Sequence, residues 1–279
     1  MSTKGFRMIE FVRTTFLMVV LQTAPAVAQT PALPIEGEEA EVVLRTAEVV
    51  KIEDLDSKGM TKPQKVTLVD GEQTVEAVFK TVDITHQKVT LTTGRTVFRL
   101  RDSYRHEIAA YELDKLLGLG IVPPTVERKI RREAGSLSLW IQGAMTGWHR
   151  AKVAKIPPPD PQDWNDQMFV IRLFMQLTWD TDYNNISNLL IDADWHIWKI
   201  DSSRAFRTDP ELRREGTLTR FSRRILVALG ELSKERLDQH LGPWLDRKQL
   251  DALWARRLRI LKLAQERVAE HGETAVLYP

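Results

Sequence analysis

The hydrophobic periodicity changes once along the chain, and that change restricts the fold more than any other feature. From residue 41 to about residue 100 the apolar residues lie in short segments rich in Val and Thr: "EVVLRTAEVVKIE" (41–53), "QKVTLVDG" (64–71), "TVEAVFKTVD" (74–83) and "HQKVTLTTGRTVFRL" (86–100). Partial alternation, with turn residues such as Gly59 and Asp70-Gly71 between the segments, predicts antiparallel strands. "DSYRHEIAAYELDKLLGLG" (102–120) then breaks into helical spacing, with Ile108, Tyr111, Leu113, Leu116 and Leu117 on one face. Asp102 or Ser103 caps its start and Gly118 or Gly120 ends it. "IVPPTVERKI" (121–130) and "GSLSLWIQGAM" (135–145) read as two more strands. "PPPDPQD" (157–163) reads as a rigid, non-helical connection. Beyond it the pattern is helical, broken by one short hairpin within 188–201. The expected architecture is therefore α+β, with strands and one main helix first and helices after.

The first 28 residues stand apart from this pattern. Lys4, Arg7 and Arg13 precede an apolar stretch from Thr14 to Leu21, and Ala26 and Ala28 precede Gln29. That order predicts a secretory signal peptide (1–28) cleaved after Ala28, and an exported, periplasmic or secreted, mature chain. If the leader reading fails, the chain is cytoplasmic. The apolar stretch is too short for a stable membrane span, which needs about 20 residues. Residues 29–40, with prolines, Gly37 and four acids, read as a linker. Cleavage removes three basic residues and one acidic residue from totals of 40 and 38, leaving 37 of each sign. A neutral chain has no electrostatic footprint for nucleic acid. With no cysteine, disulfides, thiolate nucleophiles and thiolate metal sites are excluded.

The six histidines show no metal-ligand spacing, and neither G-x-S-x-G nor G-x-G-x-x-G occurs. What remains is a distributed set of polar residues. Lys80 lies in a predicted strand, Glu107 on the main helix, and "WDTDYNNISNLLIDADWHIWKIDSSRAF" (179–206) crowds Asp180, Asp182, Asn184, Asn185 and Asn188 ahead of two apolar runs that end on Asp201. A lysine, a glutamate to hold it, an Asn and an Asp for Mg²⁺, and an Asp to accept a proton are the parts of a phosphoryl-transfer site. Each part has a plainer explanation. Lys80 fits an exposed strand edge, and Glu107 a solvated helix face. Turn chemistry accounts for residues 180–188 but not for Asp201.

The runs "SYRHEIAAYELDKLLGLGIVPPTVER", "GSLSLWIQG", "NLLIDADWHIWKIDSSRAFR" and "GETAVLY" resemble a bacterial family of kinase-like proteins. That family is related to atypical kinases such as the phosphoinositide kinases, the HipA-type toxin kinases and the secretory-pathway Golgi kinases. The resemblance spans most of residues 41–278. It implies a bilobal protein-kinase-like fold, with a strand-rich N-lobe carrying one main helix (41–145) and a helical C-lobe (146–279), ATP between them and "LWIQG" as the hinge. It also implies that Lys80 binds nucleotide phosphates, that Glu107 orients Lys80, that Asn188 and Asp201 bind Mg²⁺, and that Asp182 is the catalytic base. In place of a glycine-rich loop, backbone amides of Gly59, Met60 and Thr61 in "SKGMTKPQ" would approach the phosphates.

The thirteen residues from Asn188 to Asp201 match kinase spacing. Kinases place the base five residues before the metal-binding Asn, whereas Asp182 is six before Asn188 and Tyr183 is five before. Either the loop carries one extra residue at Asn184 or Asn185, or the base is lost. Three readings stand open: a kinase with a hydroxyl-bearing protein, sugar or small-molecule acceptor, a pseudokinase that binds nucleotide or acts as a scaffold, and a structural domain. Arg204 is expected to tether the segment after Asp201 or to pair with a carboxylate of the helical half. The acceptor and the oligomeric state are not encoded in any recognisable pattern.

Overall fold

The computed structural model describes residues 33–55, 62–90 and 96–279. The leader and residues 56–61, which contain Gly59, Met60 and Thr61, lie outside these. The first described element is a helix, α1 (Gly37–Thr46), followed by the strand β1 (Glu48–Asp54). Residues 37–40 are thus helical where a linker is expected, and residues 41–46 are helical where a strand is expected. Ala40, Val43, Leu44 and Ala47 are all buried, at the i, i+3, i+4, i+7 spacing of one helical face. Packing of that face outweighs the β-propensity of two adjacent valines. Arg128 completes the helix by donating to the Leu44 carbonyl at 2.8 Å and to that of Ala47, two C-terminal carbonyls that lack helical partners.

Then come β2 (Gln64–Asp70), β3 (Gln73–Lys80), the hairpin β4 (Asp83–Thr90) and β5 (Thr96–Ser103), α2 (Tyr104–Leu117), β6 (Thr125–Ile130) and β7 (Glu133–Leu139). Five of these strands form an antiparallel sheet of order β1-β2-β3-β7-β6, with the β4–β5 hairpin separate. Val66, Leu68, Val75, Ala77, Phe79, Leu137 and Leu139 point to one face and pack against α1. Period-2 alternation then turns Lys80 to the other face. Ser103 caps α2 by accepting from the Arg105 amide at 3.2 Å, and Gly118 ends it at φ +60°.

The second half contains β8 (Met145–Thr146), α3 (Pro161–Leu177), β9 (Leu189–Ile191), β10 (Ile197–Lys199), β11 (Phe221–Ser222), α4 (Arg223–Glu231), α5 (Lys234–Leu241), α6 (Arg247–His271), α7 (Glu273–Val276) and β12 (Leu277–Tyr278). The expected β9–β10 hairpin gains β8 as a third strand, and β12 pairs in parallel with β11. The connection 157–163 is non-helical only up to Asp160. Asp160 accepts from the Gln162 amide at 2.8 Å and that of Asp163 at 3.2 Å, so Pro161 becomes the first helical residue, where its missing N–H costs nothing. Among the described residues no helix is long and apolar enough to cross a membrane.

The two cores interleave. Ala109, Tyr111, Leu113 and Leu117 of α2 join the core of the helical half, and Trp198 of β10 joins the sheet core. The main helix of the strand-rich half is thereby seated on the helical half, which brings Glu107 to the junction.

Close backbone approach at the end of β3 demands glycine on β7. A Cβ at Gly135 would run into the Lys80 carbonyl oxygen and lie 2.7 Å from the Phe79 ring, whereas one at Gly216 would meet nothing within 4 Å. Gly135→Ala is expected to cost about 1–3 kcal/mol, the range for overpacking, in chemical denaturation, with Gly216→Ala close to neutral. Equal effects of the two would show that the β3–β7 contact has slack.

Candidate functional site

Lys80 is the last residue of β3 and its side chain is 16% exposed. Its Nζ donates to Glu107 Oε1 at 2.6 Å and to Asp201 Oδ1 at 2.8 Å. Glu107 lies in the first turn of α2, and its second oxygen accepts from the Ser202 amide at 2.9 Å. Asp201 follows β10, and its backbone is left-handed at φ +58°, a strained conformation of the kind that clusters at functional sites. One ammonium thus ties together three segments, with 27 residues between the first pair and 121 between the second.

Their electrostatics are mutual. Burial works against the Lys80 charge, but Asp201 and Glu107 outweigh it and raise the ammonium pKa above its ordinary value. Attraction to Lys80 opposes burial at Asp201 and, with weaker help from Lys199 and Arg204, holds its carboxyl down at about 2. Asp201 is therefore an anion at neutral pH, with Oδ1 on Lys80.

Beneath this cluster is a second pair. Lys199, 1% exposed, lies 2.9 Å from Asp180 Oδ2, which is 2% exposed. Its Nζ also donates to the Ile200 carbonyl at 2.7 Å. Asp180 Oδ1 accepts from the Asp182 amide at 2.8 Å, so the buried pair links the strand leading to Asp201 with the loop carrying Asp182. The loop after Asp182 closes in a turn, in which the Asn185 amide donates to the Asp182 carbonyl at 2.7 Å. Asn185 then caps the short 3₁₀ turn Ile186–Asn188 and donates from Nδ2 to Asn188 Oδ1 at 2.9 Å. Asn184 Oδ1 accepts from Arg214 at 3.1 Å.

The Asp182 carboxyl is raised above the usual range, chiefly by burial and then by Asp180, with Asp201 adding to this and Arg204 and Lys199 opposing it. Arg204 donates from Nε to Asp102 Oδ2 at 2.9 Å and places Nη1 3.9 Å from Asp182 Oδ2. It therefore serves both expected purposes, anchoring the segment after Asp201 and facing a carboxylate of the helical half. The rest of that segment is docked through His106, whose Nδ1 donates to the Ser203 carbonyl at 2.8 Å. Gln249 Nε2 donates to His106 Nε2 at 3.0 Å and to the Phe206 carbonyl at 2.8 Å.

Lys80, Glu107 and Asp201 are thus in direct contact, and Asn188 sits beside them. The Ile200 amide donates to the Asn188 carbonyl at 3.0 Å, which sets Asn188 and Asp201 at one end of the β9–β10 hairpin. Amide and carboxylate oxygens suit Mg²⁺, whereas the buried Asn188 Nδ2, an N–H donor that cannot ligate a cation, has no hydrogen-bond partner. Among the described residues no three His, Cys, Asp or Glu side chains converge on a metal position. These donors fit Mg²⁺ in its usual manner, with one or two protein ligands and the remainder from phosphate oxygens and water.

Three participants are not singled out by sequence reasoning: Lys199, Asp102 and His106. An apolar strand interrupted by one lysine, "WHIWKI", is the signal that points to Lys199, because a lysine within such a strand needs an internal counter-charge. A cavity of about 590 Å³, bordered by Tyr111, Asp114, His196 and Trp198, contains none of the cluster residues.

No protein-family model and no curated protein matches the chain. Solved structures do. The proinflammatory kinase CtkA of Helicobacter pylori aligns over 81% of this chain and 97% of its own, at 11% identity and a TM-score of 0.51. An apo pseudokinase (13% identity, 79% and 95% of the two chains) and the MAP kinase LmaMPK10 of Leishmania major (13% identity, 85% and 86%) align at TM-scores of 0.33, too low to carry weight. The fold is a bilobal kinase-like α+β fold.

Removing one partner of the Lys199–Asp180 pair leaves a buried charge uncompensated. Asp180→Ala is expected to cost about 3–5 kcal/mol in chemical denaturation, and Asp180→Asn combined with Lys199→Met to recover most of it. No recovery in the double variant would argue that the pair does more than neutralise itself.

Burial also holds the His106 imidazole near 4, below its ordinary 6.5. Between those values the unfolded chain binds a proton that the folded chain does not. The stability contributed is complete above pH 6.5 and is lost as pH falls towards 4. Urea midpoints measured from pH 7 to 4 should fall less steeply for His106→Gln than for the unaltered protein.

Proposed function

We propose that the chain is an ATP- and Mg²⁺-dependent phosphotransferase acting on a hydroxyl acceptor. The observation that carries this reading is the Lys80 ammonium held by both Glu107 and Asp201. A buried three-way contact assembled from β3, α2 and the end of β10 is costly to build for stability alone. In this reading Lys80 binds nucleotide phosphates and Glu107 keeps it oriented, while Asp201 and Asn188 hold Mg²⁺. Bound there, the metal neutralises charge on the phosphate oxygens. Asp182 accepts the proton of the acceptor hydroxyl as the new O–P bond forms and the bond between the γ-phosphorus and the ADP oxygen breaks. A carboxyl whose pKa lies above the usual range is a better proton acceptor than an ordinary aspartate.

A pseudokinase is the second reading, favoured by one specific observation. Asn188 Oδ1 accepts from Asn185 in the lengthened loop, which competes with metal ligation. The acceptor class, whether protein, sugar or small molecule, is open in both readings. We also propose, from the leader-like order of residues 1–28, that the protein is exported; the N-terminal sequence of the mature chain, expected to begin at Gln29, tests that.

Incubation of the chain with Mg²⁺ and γ-labelled ATP, beside Asp201→Asn, Asp182→Asn and Lys80→Met, tests the activity. Turnover or label transfer is expected in the unaltered protein and should fall by about 10²-fold or more in the variants, as is common for acid–base and electrostatic groups. The same rate in all four would sink the phosphotransferase reading. Stabilisation by nucleotide without turnover, about 2.7 kcal/mol at a hundred times Kd, would instead support the pseudokinase.

A further inference from the structure

Arg204 occupies a position that its tethering role does not require. Its Nε is committed to Asp102 Oδ2 at 2.9 Å, and Asp102 is 1% exposed on β5. That contact fixes one edge of the guanidinium plane. The other edge is turned towards Asp182, with Nη1 3.9 Å from Oδ2, beyond hydrogen-bond range but within strong electrostatic reach. The charges of Asp182 and Asp201 both act on it. The side chain is 21% exposed. The Lys80 ammonium is already engaged twice, by Glu107 and Asp201.

We infer that Arg204 is a catalytic residue, whose Nη edge binds the transferring phosphoryl group between Asp182 and Asp201. This rests on the phosphotransferase reading above. As the acceptor oxygen bonds to phosphorus and its proton passes to Asp182, negative charge is spread over the three equatorial phosphoryl oxygens while the bond to ADP breaks. A fixed, planar, permanently charged donor pair matches two of those oxygens. An arginine supplied within the same chain has this role in other phosphoryl-transfer enzymes. Asp102 preorganises it, which avoids ordering a flexible side chain during the reaction. Tyr183 and Asn184, immediately after Asp182, bring no positive charge there.

The test compares binding of Mg²⁺·ADP with and without aluminium fluoride, which mimics the transferring phosphoryl group. Calorimetry on the full protein, Arg204→Gln, Arg204→Lys and Asp102→Asn provides the readout without any turnover. Aluminium fluoride is expected to tighten ADP binding by ten-fold or more in the unaltered protein. Read as the ratio of each protein's own ADP affinities with and without aluminium fluoride, the tightening should be lost in Arg204→Gln, kept in part in Arg204→Lys and lost in part in Asp102→Asn. Full tightening in Arg204→Gln overturns the inference and leaves the phosphotransferase reading standing. ADP binding with no tightening in the unaltered protein also overturns it. No ADP binding by the unaltered protein removes the phosphotransferase reading, and the inference with it. Should Arg204→Gln fail to fold, the ranking of Arg204→Lys and Asp102→Asn against the unaltered protein decides, equal tightening in all three counting against Arg204.

Discussion

The ammonium of Lys80 is the point on which the two halves of the molecule converge. It is carried on the polar side of a sheet whose opposite side is packed with Val75, Ala77 and Phe79, and it cannot reach water easily. Glu107 and Asp201 supply the counter-charges. Because one carboxylate comes from α2 and the other from the end of β10, satisfying a single buried cation requires the sheet, the main helix and the β-hairpin of the helical half to meet. The α2 face that packs into the helical core delivers Glu107, and the second Glu107 oxygen then holds the Ser202 amide. Removal of Lys80 would leave Glu107 and Asp201 at the junction without the cation they share.

A second cation works one layer deeper. Lys199 balances Asp180 and holds the backbone at Ile200, while Asp180 positions the Asp182 amide. The carboxylates at residues 180, 182 and 201 would repel one another if left alone. Lys80, Lys199 and Arg204 separate them, each cation being held by a different partner. Selective placement of charge, more than the number of charges, distinguishes this cluster from polar residues that only close turns. Asp201 is held down at about 2 while Asp182 is raised. Two chemically identical side chains are thereby pushed in opposite directions by their surroundings.

Local signals in the chain were informative where a single segment settles its own conformation. The cap at Ser103 and the αL glycine at Gly118 delimit α2 as read, and the β4–β5 and β9–β10 hairpins lie where turn residues put them. Residues 41–46 show the opposite. Two adjacent valines suggest a strand, but their neighbours Ala40, Leu44 and Ala47 find a hydrophobic face only as a helix against the sheet. Proline breaks a helix interior, so the run 157–163 predicts a rigid connector; at the first helical position Pro161 starts a helix instead.

Residue types and spacing alone determined that the chain opens with strands, turns to helices and carries Lys80, Glu107, Asn188 and Asp201 in the order that phosphoryl transfer uses. Spacing along a chain cannot report which charges face each other across 121 residues, since that depends on how the two cores interlock. Only the tertiary structure paired Lys199 with Asp180, drew Arg204 between Asp102 and Asp182, and locked His106 against Ser203 and Gln249. Each of these is a buried or part-buried polar contact whose partner is set by packing, because a group removed from water must take the counter-charge or donor that the fold brings to it.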